Sequence, residues 1–497
     1  MTTLTNKANS PVKELLRDKA WARSTALVLL ASAMFFSYIF MDVLSPLQEF
    51  LQNTKGWDPQ AYGRFTGSET FLNVFVFFLI FAGIILDKMG VRFTAILSGG
   101  VMFIGGFINY YALTESFENS SLAVFMNNFI NLPDTWWNIT PFFEGMPASA
   151  KLSAIGFMIF GCGVEMAGIT VSRGIVKWFQ GKEMALAMGT EMALARVGVA
   201  VVVLGSPFLA TLGNSINVSR SVGVAVLLLL IGLISFIVYA FMDKKLETEM
   251  GSNAEEKDDP FKISDLKYIF SSKVFWIVAL LCVLYYSAIF PFQKYAILML
   301  QCNLGITAQE AGFVFFVFPL GAAAVTPILG NYLDRKGKGA TMLIFGAILM
   351  IVCHLTFALV LPATGSELIA YGAIILLGIS FSLVPASLWP SVPKLVDNKL
   401  LGSAYAVIFW IQNIGLYAFP MIIGGVIAAT NPGVEDPLNY NFTVPMLVFA
   451  GLGVLALILG IALKALDAKK HYGLELPNIE SKGNEEAEEA EIVAAEM

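Results

Sequence analysis

One polar loop occurs twice in this chain, after the second and after the eighth of twelve apolar stretches. The first copy is Gly83-Ile84-Ile85-Leu86-Asp87-Lys88-Met89-Gly90-Val91-Arg92, and the second is Gly330-Asn331-Tyr332-Leu333-Asp334-Arg335-Lys336-Gly337-Lys338-Gly339. Both read Gly-x-x-x-Asp-base-x-Gly. One such octet is easily a coincidence; two at matching places mark a duplicated six-helix membrane unit, the plan on which many secondary carriers are built. Hydrophobic residues make up 57% of the chain and charged ones 14%, too apolar a balance for a water-soluble fold. A span needs about 20 apolar residues to cross about 30 Å of hydrocarbon. The stretches near 24–48, 61–86, 93–113, 151–177, 184–210, 221–242, 273–300, 308–332, 340–361, 367–395, 401–428 and 443–466 meet that need. The fold class expected is all-α and polytopic, with two pseudo-symmetric six-helix bundles at 24–242 and 273–466.

Lysine and arginine set the expected orientation. They crowd the amino-terminal tail (1–23), the loops after even-numbered spans, the linker at 243–272 and the carboxy-terminal tail (467–497). The opposite face offers little beyond Lys55, Lys151 and Arg220. Both ends therefore read as cytoplasmic. The net charge of −6 owes much to the acidic run at 485–491, read as a solvated tail. Within the linker, 262–270 has the pattern of an amphipathic surface helix. Trp136 and Trp137, in the long loop between spans 3 and 4, suit interfacial anchors. Asn119, Asn138, Asn217 and Asn441 each begin a glycosylation acceptor triplet, and all four fall on the non-cytoplasmic side. Cys162, Cys282, Cys302 and Cys353 have no metal spacing and read as packing residues.

A charge in hydrocarbon costs at least about 2.5–3.5 kcal/mol, so intramembrane ionisable residues are the functional candidates. Glu165 lies thirteen residues before Trp178, and Arg196 twelve after Met184. At 1.5 Å per residue both fall about 18–20 Å from the same membrane face, on antiparallel neighbours. They read either as a structural ion pair or as a site for a zwitterion, whose amine takes Glu165 and whose carboxylate takes the Arg196 fork. Tyr285, Tyr286, Gln412 and Asn413 share this depth, Trp389 lies lower, and Tyr38 completes the expected lining. Packing or interhelical hydrogen bonding is the competing reading for these uncharged residues. Arg173 and Glu191 repeat the acid–base arrangement nearer the cytoplasmic face and read as a gate. Asp42, Arg64 and Glu69 read as a latch on the other side. The twin loops, through Asp87, Lys88, Arg92, Asp334 and Arg335, read as gating elements facing phosphate headgroups.

Signals of catalysis are missing. His354 and His471 are the sole histidines, and no nucleotide-binding Gly-x-x-x-x-Gly-Lys-Ser/Thr occurs. No cofactor, metal or nucleic-acid partner is expected; a small solute and the bilayer are.

The twin loops resemble the signature of the major facilitator superfamily. Further stretches are similar to its lysosomal dipeptide-carrier branch: Gly163-Val164-Glu165, Trp178 through Glu183, Ala195-Arg196-Val197-Gly198, Tyr285-Tyr286 with Phe290-Pro291-Phe292, Ser387 through Val392, and Gly402-Ser403-Ala404-Tyr405 with Ile411 through Leu416. The resemblance implies alternating access, dipeptide transport without proton drive, and contact of Glu165 and Arg196 with the two substrate termini. A bacterial inner membrane is the expected location, or a lysosomal membrane in a eukaryote. Two other functions fit the residues: a carrier of small carboxylates, with Arg196 holding the anion and Glu165 a proton, and a transporter-like sensor that binds without flux.

Overall fold

A computed structural model describes residues 15–135, 137–180, 182–213, 215–250, 266–397 and 400–477. Long apolar helices dominate, since each backbone polar group in a bilayer must be satisfied within its own segment. The amino-terminal half holds α1 (Ala20–Asp42), α2 (Gln48–Lys55), α3 (Pro59–Ser68), α4 (Phe71–Phe75), α5 (Phe78–Ala112), α6 (Glu115–Glu118), α7 (Ser121–Asn128), α8 (Ala148–Phe179), α9 (Met184–Thr211) and α10 (Val218–Met250). The carboxy-terminal half holds α11 (Leu266–Ser271), α12 (Lys273–Leu304), α13 (Ala308–Phe315), α14 (Val317–Lys336), α15 (Gly339–Leu355), α16 (Leu361–Thr364), α17 (Glu367–Leu395), α18 (Leu401–Thr430) and α19 (Thr443–Lys470). We call the side bearing the twin loops the tail face, and the opposite side the far face.

Eleven continuous helical segments are long and apolar enough to cross a bilayer among the described residues. The twelfth span departs from expectation. Instead of one helix over 61–86, it comprises α3, α4 and the first third of α5. It breaks after Ser68 and again at Phe77, whose φ is +57°. Hydropathy does not register the break at Phe77, because the residues on either side of it are apolar. The other half supplies the compensation: the Trp410 indole donates to Val74 O at 3.0 Å, and the Thr70 hydroxyl reaches Asn413 O at 3.5 Å. A second bend within α5, at Gly90 with φ +76°, turns the chain from span 2 into span 3 inside the first twin loop. Glycine alone takes that angle readily.

The expected amphipathic linker helix is realised over Leu266–Ser271, while 251–265 and the acidic run at 485–491 lie outside the described residues. Trp136 does too.

Each half has its own brace on the tail face. In the first, Asp243 is fully buried on α10 and takes Lys177 Nζ at 2.8 Å, Trp178 Nε1 at 3.0 Å and Tyr239 OH at 3.3 Å. Arg92 of the first loop adds Glu247 at 2.5 Å. In the second half, residues after α19 fold back onto the second loop. Lys338 N–H and Gly339 N–H donate to Glu475 O and Leu474 O, each at 3.0 Å. The Glu475 carboxylate accepts from Thr341 N–H and its hydroxyl, both at 2.8 Å, capping α15.

Candidate functional site

The first half presents its two mid-membrane charges to the seam between the halves, but not to each other. Glu165 comes from α8, where Gly161 allows the backbone of Glu69 to lie against it; a Cβ there would stand 1.9 Å from Glu69 O. The Glu165 carboxylate accepts from the Asn413 amide of α18 at 3.4 Å. Arg196 comes from α9 and crosses to α14, donating to Ala322 O at 2.8 Å and to the Thr326 hydroxyl at 2.6 Å. Its guanidinium also lies 4.9 Å over the Phe381 ring of α17, a cation–π arrangement. Among the described residues, the partners of Glu165 and Arg196 are groups of the opposite half and not each other.

The lining expected around them divides. Tyr286 remains half-buried, accepts from Trp389 Nε1 at 3.1 Å, and lies within electrostatic reach of Arg196 and Tyr38. Trp389 packs on Tyr405 and Phe409. Tyr38 is half-buried and lies within electrostatic range of Glu191, Glu165, Glu69 and Arg196. Asn413, as described, touches Glu165. Tyr285 is a correction: it is fully buried and donates to Leu343 O inside the second half. Adjacent helical positions point about 100° apart, so equal depth never meant an equal face. Gln412 is likewise turned inward, accepting weakly from the Cys282 thiol at 3.4 Å.

The far-face latch is rewired relative to expectation. Asp42, Arg64 and Glu69 do not bond among themselves. Asp42 instead pairs across the seam with Lys294 of α12 at 2.7 Å, and its other oxygen accepts from Gln293 at 2.7 Å. Lys294 Nζ also donates to Met41 O, while Lys294 O accepts from Gln48 at 2.5 Å and Tyr62 OH at 3.3 Å. All of these side chains are buried. Arg64 turns to the span 3–4 loop, pairing with Asp134 at 2.8 Å and donating to Asn138 O and Thr140 O, each at 2.6 Å. Lys294 and Gln293 were visible as polar residues in span 7; the signal for a role was an intramembrane lysine needing an acid at similar depth.

On the tail face, Arg173 pairs with Asp87 of the first loop at 3.0 Å. Lys88 and Arg335 are exposed and Asp334 half-buried. Glu191 is half-buried. The hydrogen bonds described above that join the two halves lie at mid-depth or toward the far face. Asp42, Gln293 and Lys294 thus close the far face, and the half-buried Tyr38, Glu165, Glu191, Arg196 and Tyr286 lie on the tail side of that closure.

A family profile described as Major Facilitator Superfamily matches residues 29–420 and, overlapping, 294–489. The chain belongs to the Major Facilitator Superfamily. It is thus a multi-pass membrane transporter of a small-molecule substrate. Over 338 residues this superfamily member is 28% identical to a Danio rerio protein named lysosomal dipeptide transporter MFSD1, covering 65% of this chain and 68% of that one. Over 289 residues it is 28% identical to the Homo sapiens protein of the same name, covering 56% of this chain and 59% of that one. The match to the human protein therefore spans less than two thirds of its length. A variant of the nucleoside transporter NupG has a similar fold, with TM-score 0.64, 13% identity and coverage of 88% of this chain and 99% of that one.

Proposed function

We propose that this protein carries dipeptides by alternating access, as a facilitated uniporter. The observation that supports this most is that Glu165 and Arg196 stand in one seam unpaired with each other, each held by uncharged groups of the opposite half. A long amide contact on the acid and a carbonyl and hydroxyl on the base are partners that a zwitterion can replace with charge-assisted bonds. The ligand's ammonium takes Glu165 and its carboxylate takes the Arg196 fork. Tyr286, Trp389, Tyr38 and Asn413 border the space between. Because recognition rests on the two ends, side chains can vary. Ligand bound to first-half charges also displaces their contacts to the second half, which links occupancy to rocking of the halves. The names carried by the similar proteins point the same way. The abundance of Lys and Arg on the tail face supports a cytoplasmic placement of both ends, in a bacterial inner membrane or a lysosomal one.

The test is counterflow of labelled dipeptide in proteoliposomes. Amidating the carboxyl end or acetylating the amine should each abolish competition, and Arg196→Lys should weaken binding at least about tenfold, since a point charge cannot reproduce the planar fork. Full competition by both capped peptides would reject the reading. A second reading, a proton-coupled carrier of small carboxylates, is favoured by one observation: Glu165 meets an amide and no cation. Accumulation of a monocarboxylate driven by an imposed pH gradient, with no dipeptide flux, would establish that alternative.

A further inference from the structure

The span 3–4 loop carries an apolar surface that the transport site does not use. On α7, Ala123 and Met126 are buried, while Leu122, Val124 and Phe125 point outward at 38%, 65% and 59% exposure. The buried side packs on the flanks of α5 and α8, against Ala112 and Leu152, with Ile108 and Ile155 alongside. Ile155 lies seven residues inside α8, about 10 Å along its axis at 1.5 Å per residue. The short helix therefore lies beside the spans rather than above them.

Two further observations fix its outward face. Lys151 of α8 is completely buried, and its ammonium donates to Asn127 O at 3.3 Å, Phe129 O at 2.9 Å and Asn131 Oδ1 at 2.5 Å. A cation clamped on the carboxy-terminal carbonyls of α7 holds the helix in place and complements its dipole. Next to α7, α5 exposes Ile104 and Phe107 at 55% and 52%, in the apolar stripe of a spanning helix. The outward face of α7 continues that lipid-facing stripe, and residues 121–128 contain no charged side chain. Beyond it stands Trp137, at 63% exposure.

We infer that α7 is an in-plane membrane anchor, with Leu122, Val124 and Phe125 seated at the headgroup–acyl boundary of the far leaflet and bilayer lipid as their occupant. Amphipathic segments of this kind bind by apolar burial at that boundary. The continuity with α5 favours lipid over a soluble protein partner. The anchored loop reaches the seam as well: Ile139 O accepts from the Tyr417 hydroxyl of the opposite half, and Arg64 grips the same turn. One segment thus holds lipid at one end and the far-face closure at the other.

The full chain, purified and reconstituted in phosphatidylcholine nanodiscs, tests this with bimane attached at Phe125→Cys or, independently, Val124→Cys. Both positions are exposed, Val124→Cys serves as a check on loss of the Phe125–Phe129 ring contact, and unsubstituted protein corrects for the native cysteines. Quenching by lipid carrying a nitroxide near the glycerol should exceed quenching by aqueous iodide several-fold at both sites. Bimane at the exposed Glu115→Cys should show the reverse. Iodide quenching without lipid quenching at Phe125 and Val124 would overturn the inference in favour of a water-facing surface. Protection from both quenchers would overturn it in favour of a protein contact, such as a second copy.

Discussion

At the residue scale, Asp243 shows how much a single buried charge depends on its partners. Fully enclosed, it is held by Lys177, Trp178 and Tyr239. Lys177→Met removes the nearest cation of that carboxylate, leaving Arg92 at 4.0 Å, and loss of one member of a buried pair costs about 3–5 kcal/mol. Differential scanning fluorimetry should show a large fall in melting temperature, mostly recovered in the double variant with Asp243→Leu. A single variant as stable as the parent would mean the pair contributes nothing. The same scale shows what a sequence can reveal. Glu165 and Arg196 stood out because charge is rare in hydrocarbon and depth follows from counting residues. Azimuth does not follow from counting. Tyr285 and Tyr286 have one depth and different fates, one fully enclosed and bonded to Leu343 O, one half-buried and bonded to Trp389 at the seam. Partner choice was equally hidden: Asp42 selected Lys294 from span 7 over the nearer-in-sequence Arg64.

At the scale of elements, the broken second span is the part that apolar patterning concealed. Its first segment, α3, lies so close to α18 that a Cβ at Gly63 would stand 2.5 Å from Pro420 O and 2.8 Å from the Tyr295 hydroxyl. Backbone at Pro420 cannot yield as a flexible side chain would. Gly63→Leu should therefore wedge the far-face seam apart without touching the charges at mid-depth. Thr66→Cys, buried one turn along, reports on the seam. Its modification by a membrane-impermeant maleimide from the far side should rise when Gly63→Leu is added. Unchanged labelling would show that the seam accommodates the extra volume. The eleven long segments, in contrast, were legible as apolar runs, because in lipid only a helix satisfies such a run.

At the scale of the whole molecule, the duplicated loop announced two bundles, and the distribution of contacts between them defines one conformation. The far side is closed by Asp42, Gln293 and Lys294, which become hydrated when it opens. Lys294→Met leaves Asp42 unpaired only in the closed form. A penalty of about 3 kcal/mol there shifts the balance toward the far-open form by about two orders of magnitude. Spin labels at Asn53 and Glu435, on opposite halves of that face, should report a longer distance population in the variant by pulsed electron resonance. An unaltered distribution would mean the latch does not hold the seal. None of this geometry could be read from composition, since pairing across the seam depends on how two separately folded bundles meet.

The clasp formed by Leu474 and Glu475 has a practical corollary for dissection of the chain. Hydropathy would place a cut soon after residue 466, at the end of the last span. A half-transporter trimmed there would surrender the acid that caps α15 and the strand-like pairing with Lys338 and Gly339. Split-chain complementation of the second bundle should accordingly be designed to run through Pro477, so that each bundle arrives with its own tether already fastened.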